Sequence, residues 1–135
     1  MRIHRISFLG VRTKNFDAMT AFARDVLGLP LAHLEDEWAI FPLESGKRDY
    51  FEIYGPGHAD ERLMTAASDG PIAAFAVDDL LEARAELEAA GTEMISDVTW
   101  ASDVFGNPAF EGFGWFFFRA PDGNVYVLQQ DGLPL

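Results

Sequence analysis

The sequence of 135 residues contains no cysteine. Disulfide bonds, thiolate nucleophiles and cysteine-ligated zinc sites are therefore excluded. A chain of this length buries roughly two-thirds of its unfolded surface when it folds, so it does not need cross-links to be stable. The absence of cysteine fits a reducing compartment, and we expect a cytoplasmic protein.

Basic residues are few, because ten lysines and arginines stand against 22 aspartates and glutamates, for a formal net charge of −12. They are scattered, so no basic stripe is available for a nucleic acid, and an anionic membrane surface would repel the chain. No apolar run approaches the roughly 20 residues that span a bilayer. The N-terminal residues MRIHRISFLGV alternate like a strand and do not resemble a signal peptide. We expect neither nucleic acid nor membrane as a partner.

Several signatures of common enzymes are also missing. The sequence has no P-loop, no dinucleotide-binding fingerprint and no nucleophile elbow around its serines. Its three histidines are not spaced as metal ligands on a helix: we expect His58 to be solvated and His33 to lie on a strand surface. Arg12 and Arg119 could hold an anionic ligand at a strand end, but arginines are more often surface charges, which is the interpretation we favour.

The first half of the chain predicts a strand, a helix and three short strands. Residues 3–11 alternate like a strand, and residues 14–30 (KNFDAMTAFARDVLGLP) have helical periodicity that ends at Gly28 and Pro30. The helix is predicted to bury one apolar stripe, made of Phe16, Met19, Phe22, Ala23, Val26 and Leu27. The runs LAHLE, WAIFPL and DYFEIYG predict the three strands.

The same order of elements then begins again. We predict a single domain, residues 1–135, with a first module at 1–56, a linker at 57–70 and a second module at 71–135. In the second module IAAFAV predicts a strand, and Asp79 and Glu82 have capping-box spacing at the start of a helix. We therefore predict an α+β fold of two βαβββ modules. Each module leaves one sheet face uncovered, so the two are expected to form a cupped mixed sheet around a pocket.

Four segments follow the paired plan in order and extend over essentially the whole chain: FARDVLGLPL, FEIYGPG, FAVDDLLEARAELEAAG and FRAPDGNVYVLQQ. Together with the plan they resemble the vicinal oxygen chelate superfamily, which includes glyoxalases, bleomycin resistance proteins and extradiol dioxygenases. The resemblance implies the fold of that superfamily, a small-molecule ligand and a homodimer. A dimeric ferredoxin-like barrel is the alternative fold, but it does not require the second DD…G…PDGN series.

Enzymes of the superfamily hold a divalent metal with His and Glu side chains from four strands, and the resemblance implies where these positions fall. Only Glu52, in FEIYG, is an acid at its position. The other three fall on side chains that cannot bind metal: Val127 after PDGN, Ile72 at the start of the second half, and Phe8 in the first strand. A second count places the last position on Arg5, beside His4. Glu52 and His4 are therefore the only candidates at the family's metal positions, and no cofactor is expected, with a divalent metal as the open alternative.

Glu52 is the candidate catalytic residue. It shares one strand face with Tyr50 and Tyr54, whereas Phe51 and Ile53 alternate to the other face. If the helix covers Phe51 and Ile53, Glu52 points into the pocket, where aromatic surroundings would raise its pKa and allow it to act as a base or to bind a cation. The alternative is a structural acid bonded to the backbone or to an arginine.

Aromatic residues are concentrated in residues 100–118. Alternation predicts that Trp115 and Phe117 face the pocket while Phe116 and Phe118 enter the core. Together with aromatic side chains of the first half they give the predicted ligand-binding set, which is Phe8, Trp38, Tyr50, Glu52, Tyr54, Trp115 and Phe117. Such rings stack planar or cationic ligands, although they could also simply fill the cup.

These observations favour a small-molecule-binding protein with a degenerate metal site, which binds or sequesters its ligand without metal. One alternative is a metal-dependent lyase, isomerase or dioxygenase with relocated ligands, such as Glu52, His4 and Glu111. Another is an interaction module whose cavity has collapsed. Fold resemblance specifies architecture better than activity, so both alternatives stay open at this point.

Overall fold

The structure is a computed structural model that describes residues 1–44, 48–58, 70–121 and 123–132. The chain divides into two compact units, one made of Ser7–Ala73 and the other of Met1–Ile6 with Ala74–Leu135. Strands β1 (Ile3–Arg12) and β5 (Gly70–Val77) contribute residues to both units. Within the described ranges no helix combines the length and the apolar character needed to cross a membrane.

The unit Ser7–Ala73 contains a four-stranded mixed sheet with one helical segment on it. After β1 come α1 (Phe16–Ala21), a π-helix (Phe22–Val26), β2 (His33–Glu35), β3 (Trp38–Pro42) and β4 (Tyr50–Tyr54). The strand order is β2-β3-β4-β1, with antiparallel pairs except for the parallel pair of β4 and β1. Its core joins the helical segment to one sheet face through Phe16, Ala23, Ala39, Phe41 and Ile53.

The other unit repeats the plan. It contains the end of β5, α2 (Leu80–Ala89), β6 (Glu93–Met94), β7 (Thr99–Trp100), α3 (Ala101–Phe105), a 3-10 helix (Pro108–Phe110), β8 (Gly114–Arg119) and β9 (Val125–Gln130). Strand β5 pairs with β9 in parallel, whereas β8 pairs in antiparallel fashion with β9, β6 and β7. Helix α2 packs on this sheet through a core of Val77, Leu80, Ala83, Phe116 and Leu128.

The predicted α+β class is confirmed by these elements, and the first half has the predicted strand–helix–three-strand order. The second half has the predicted strands and one more, because the short strand β7 lies between β6 and β8. The predicted capping of the second helix is also present, because Asp79 Oδ1 accepts a hydrogen bond of 3.0 Å from the Glu82 amide. The module boundaries stay predictions. Most of the predicted linker at 57–70 lies outside the described residues, since 59–69 are not among them.

The prediction that the first helix buries one apolar stripe is wrong for its second half. Phe16 and Ala23 are buried, but Phe22, Val26 and Leu27 are 46%, 69% and 54% exposed. For Val26 and Leu27 the cause is the π-helical turn, in which the Leu27 amide donates to the Phe22 carbonyl at 3.0 Å. Phe22 precedes the extra residue, and it is exposed because six residues after the buried Phe16 an ordinary helix points to another side. A π turn inserts an extra residue, so a stripe counted at 3.6 residues per turn rotates away from the core beyond it.

Candidate functional site

Strand β4 carries Glu52 on the sheet face that the helix does not cover. Phe51 and Ile53 pack against the helical core of this unit, so the alternation of the strand directs Glu52 to the opposite face. In the sheet, Glu52 lies opposite Gly10 of β1 and Ile40 of β3. The side chain nevertheless is only 5% exposed, so the carboxyl group is almost completely removed from water.

Two aromatic side chains donate hydrogen bonds to the same oxygen of Glu52. The Trp38 indole Nε1 donates to Oε1 at 2.8 Å, and the Tyr54 hydroxyl donates to Oε1 at 3.1 Å. Trp38 and Tyr54 are neighbours across the β3–β4 ladder, which explains why both reach one atom. Among the described residues no hydrogen bond reaches Oε2. The described donors therefore hold the carboxyl group at one oxygen, Oε1.

Burial makes Glu52 a weaker acid than an ordinary glutamate, because it raises the pKa of the carboxyl group. Desolvation raises the pKa of its carboxyl group from 4.5 to about 7, although the hydrogen bonds from Trp38 and Tyr54 lower the pKa. The pKa of the Tyr54 hydroxyl is raised well above its usual 10 by burial, and also by the charge of Glu52 and by the hydrogen bond to it. Near neutral pH, Glu52 can therefore exist in either protonation state, while Tyr54 remains a donor.

Two histidines surround this pair of donors. The rings of His33 and Trp38 meet edge to face with centroids 4.8 Å apart. The His58 ring contacts Tyr54 at 5.3 Å and Trp38 at 6.0 Å, also edge to face. The expectation that His58 is solvated is wrong, because it is half-buried against these rings. His33 is also half-buried. No periodicity in the sequence marks His58, since it follows β4 in a turn rather than in a strand.

The predicted site residues of the Ser7–Ala73 unit share one face. Trp38, Glu52 and Tyr54 are in direct contact, and the next pair along the β1–β4 ladder consists of Phe8 and Tyr50. In the other unit, Trp115 and Phe117 lie opposite Gln129 and Val127 on β9. They occupy the sheet face opposite to Phe116, which packs under α2. A role of these residues in ligand binding stays a prediction.

The expectation that Arg12 is a surface charge is wrong, because the residue is only 2% exposed. It lies opposite Tyr54 in the β1–β4 ladder and therefore on the same face as Glu52. The alternation of β1 places Phe8, Gly10 and Arg12 on one face, whereas the expectation of exposure rests only on how often arginines lie on protein surfaces.

The side chains at the family's metal positions do not fit a divalent cation. Val127 and Ile72 are fully buried apolar residues, and Phe8 is 5% exposed. The Oε1 atom of Glu52 faces two hydrogen-bond donors, which is the opposite of what a cation requires. Across the part of the chain that the structure describes, no group of three or more His, Asp or Glu side chains is arranged to hold a metal ion.

His4 and Glu111, the alternative metal ligands, do not form a common group with Glu52 among the described residues. His4 belongs to the unit of Met1–Ile6 and Ala74–Leu135, where its Nε2 is hydrogen-bonded to Asp78 Oδ1 at 2.5 Å. Glu111 is exposed in the turn after the 3-10 helix. We therefore derive no chemical step through a bound metal.

Comparisons with known proteins agree with the fold. A family model described as Glyoxalase/Bleomycin resistance protein/Dioxygenase superfamily matches residues 2–128. No curated protein matches the sequence.

Among solved structures, the Mn(II)-bound glyoxalase from Novosphingobium aromaticivorans is 26% identical with a TM-score of 0.68. The alignment covers 96% of this chain but 40% of that one, so this chain spans less than half of the glyoxalase.

Two further structures are similar over nearly their whole length. A variant of Streptomyces coelicolor methylmalonyl-CoA epimerase, in complex with 2-nitronate-propionyl-CoA, is 18% identical with a TM-score of 0.66, covering 98% of this chain and 100% of that one. A glyoxalase/bleomycin resistance protein/dioxygenase superfamily member from Vibrio splendidus is 16% identical with a TM-score of 0.59, covering 94% and 98%. At these identities the likeness supports the fold alone.

Proposed function

The chain belongs to the Glyoxalase/Bleomycin resistance protein/Dioxygenase superfamily, and from this premise we propose that it binds a small organic molecule at Glu52 without a metal ion. The observation that carries the proposal is the arrangement of the Glu52 carboxyl group. Its Oε1 accepts hydrogen bonds from Trp38 and Tyr54, and no described residue bonds to Oε2. Oε2 is therefore the atom that we assign to ligand contact.

The side chains around Glu52 define the class of ligand. Indole, phenol and imidazole rings attract planar molecules and cations through their π systems. A carboxylate adds a negative charge and a hydrogen-bond acceptor, and the whole chain has a net charge of −12. We therefore propose a planar ligand that presents N–H donors or a positive charge to Oε2. For a ligand with an acidic proton, Glu52 would be the proton acceptor.

Three probes of one shape test this assignment. Benzamidine, benzamide and benzoate share a planar ring but present a cationic donor, a neutral donor and an anion. We expect binding to weaken in that order above about pH 7, where Glu52 is charged. The indole N–H signal of Trp38 in an NMR titration reports contact at the site itself.

Replacement of Glu52 by glutamine provides the decisive comparison. Glu52→Gln should remove the preference for benzamidine over benzamide, because the negative charge is lost while the shape is kept. Glu88→Gln, at an exposed carboxylate that pairs with Arg84, is the matched control and should bind as the wild type does. Equal binding of all three probes, or an unchanged preference in Glu52→Gln, would refute the proposal.

Metal-assisted chemistry is the rival, and the Mn(II)-bound glyoxalase makes it worth testing directly. Metal content of the purified protein, with calorimetric titration of Mn²⁺ and Zn²⁺ into wild type and Glu52→Gln, separates the two. Stoichiometric binding that is lost in the variant would overturn the metal-free proposal. Heat signals that are weak and equal in both proteins support it.

A further inference from the structure

Strand β1 carries a glycine as the third residue from its end, at a paired position where a strand normally prefers a larger residue. Gly10 is buried, and its backbone is not in the left-handed region that only glycine adopts freely. Conformational freedom is therefore not the reason for a glycine here. A glycine within a strand otherwise marks a place where another group approaches the backbone closely. Gly10 lies directly opposite Glu52 in the parallel β1–β4 ladder.

The group that approaches Gly10 is the ring of Tyr54. A Cβ atom added at Gly10 would lie 3.0 Å from Tyr54 Cε2 and 3.6 Å from its Cδ2, with the Glu52 carbonyl oxygen at 3.3 Å. The first distance is shorter than ordinary van der Waals contact between carbon atoms. The edge of the tyrosine ring therefore occupies the space above Gly10 that a side chain would fill.

The matching position of the other unit supports this interpretation. There Ala74 of β5 lies opposite Val127 of β9, as Gly10 lies opposite Glu52. Two residues further along β9 stands Gln129 rather than a tyrosine, and Ala74 is accommodated with its Cβ in a fully buried position. The sheet itself therefore accepts a Cβ at this point of the ladder, and the ring of Tyr54 is what distinguishes Gly10.

We propose that Gly10 is a positioning residue for Glu52: its missing side chain admits the ring of Tyr54, which brings the Tyr54 hydroxyl to Glu52 Oε1. Gly10 contacts no ligand in this proposal and acts only through Tyr54. The consequence is that one oxygen of Glu52 is occupied by protein donors and the other is left for the ligand. The positioning does not depend on what the site binds, so it can be tested in the free protein.

The first test measures the pKa of Glu52 by ¹³C NMR of its side-chain carboxyl group. Gly10→Ala should force the ring of Tyr54 to move by a few tenths of an ångström and so weaken its 3.1 Å hydrogen bond to Glu52. The pKa of Glu52 should then rise by up to about one pH unit, the size expected for the full loss of one such bond. Tyr54→Phe should give the full rise, and the double variant no more than Tyr54→Phe alone. Ala74→Gly, the reciprocal change in the other unit, should leave the pKa of Glu52 unchanged.

A second measurement keeps the proposal testable if Gly10→Ala does not fold. Tyr54→Leu removes the part of the ring that the new Cβ would meet, so adding Gly10→Ala to Tyr54→Leu should lower the urea midpoint much less than adding it to the wild type. The proposal is overturned if Gly10→Ala lowers the urea midpoint by the same amount in the wild type and in Tyr54→Leu. It is also overturned if Gly10→Ala folds and leaves the pKa of Glu52 unchanged. Because no ligand is present, neither result depends on the proposed binding function.

Discussion

Replacement of Glu52 by glutamine should stabilise the protein above neutral pH. In the folded chain the pKa of Glu52 is raised from 4.5 to about 7, mainly because burial disfavours the charged form. At about 1.4 kcal/mol for each pKa unit, this difference in pKa corresponds to about 3 kcal/mol of the free energy of unfolding. Glutamine keeps an oxygen for the donors Trp38 and Tyr54 and resembles the protonated acid, so it avoids the energy needed to bury the charge.

The pH dependence of this effect has a definite sign. Below about pH 4.5 the carboxyl group holds its proton in both folded and unfolded chains, so the two proteins should be similarly stable. Between there and about pH 7 the unfolded chain releases the proton while the folded chain keeps it. The wild type should therefore lose stability relative to Glu52→Gln as pH rises, by up to about 1.4 kcal/mol per pH unit. Above about pH 7 the difference should level off.

Urea denaturation of both proteins between about pH 5 and pH 9 measures this difference directly. Other carboxylates affect both proteins equally, so their contributions cancel in the comparison. Glu88→Gln, at an exposed position, should follow the wild type throughout. A stability difference between wild type and Glu52→Gln that does not change with pH would refute the reasoning, since it would mean that Glu52 titrates alike in folded and unfolded chains.

Three further outcomes follow from the contacts. Trp38→Phe should raise the pKa of Glu52 by about one pH unit in a ¹³C NMR titration, because a hydrogen bond to the charged form is lost; an unchanged or lower pKa would contradict this. Asp79→Ala should lower the free energy of unfolding by about 1 kcal/mol in urea, and Asp79→Asn, which keeps an acceptor, by much less. Phe41→Ala should cost about 3–5 kcal/mol and Val26→Ala less than about 0.5, so equal losses would contradict the burial assigned to them.

Most of the fold could be predicted from the sequence because periodicity and end signals are local. The second helix begins at the predicted cap, Asp79, and both halves have the predicted strand–helix–strand order, with the short strand β7 added in the second. The π turn at Phe22–Val26 could not be predicted in this way. Its extra residue is selected by how the segment packs, and the spacing of apolar residues fitted an ordinary α-helix equally well.

The candidate site was predictable only in part. Strand alternation identifies Glu52 and Tyr54 as neighbours on one face, since both lie on β4. The hydrogen bond from Trp38 depends on the register of β3 against β4, and the contacts of His58 depend on the turn that follows β4. Neither is encoded in the spacing of residues along the sequence, because each is set by which strand pairs with which and by how a turn closes.

The buried carboxyl group is more informative about function than about stability. Burial raises the pKa of Glu52 to about 7, so the folded chain disfavours its charged form, and a neutral side chain of similar shape would be easier to bury. Its two donors reduce this cost but do not remove it, since its pKa remains raised. A site that keeps a costly acid, orients it through one oxygen and leaves Gly10 without a side chain to permit that orientation has the properties expected of a prearranged binding group. A ligand that supplies an N–H donor or a positive charge to Oε2 would stabilise the charged form, and that gain is absent from the free protein.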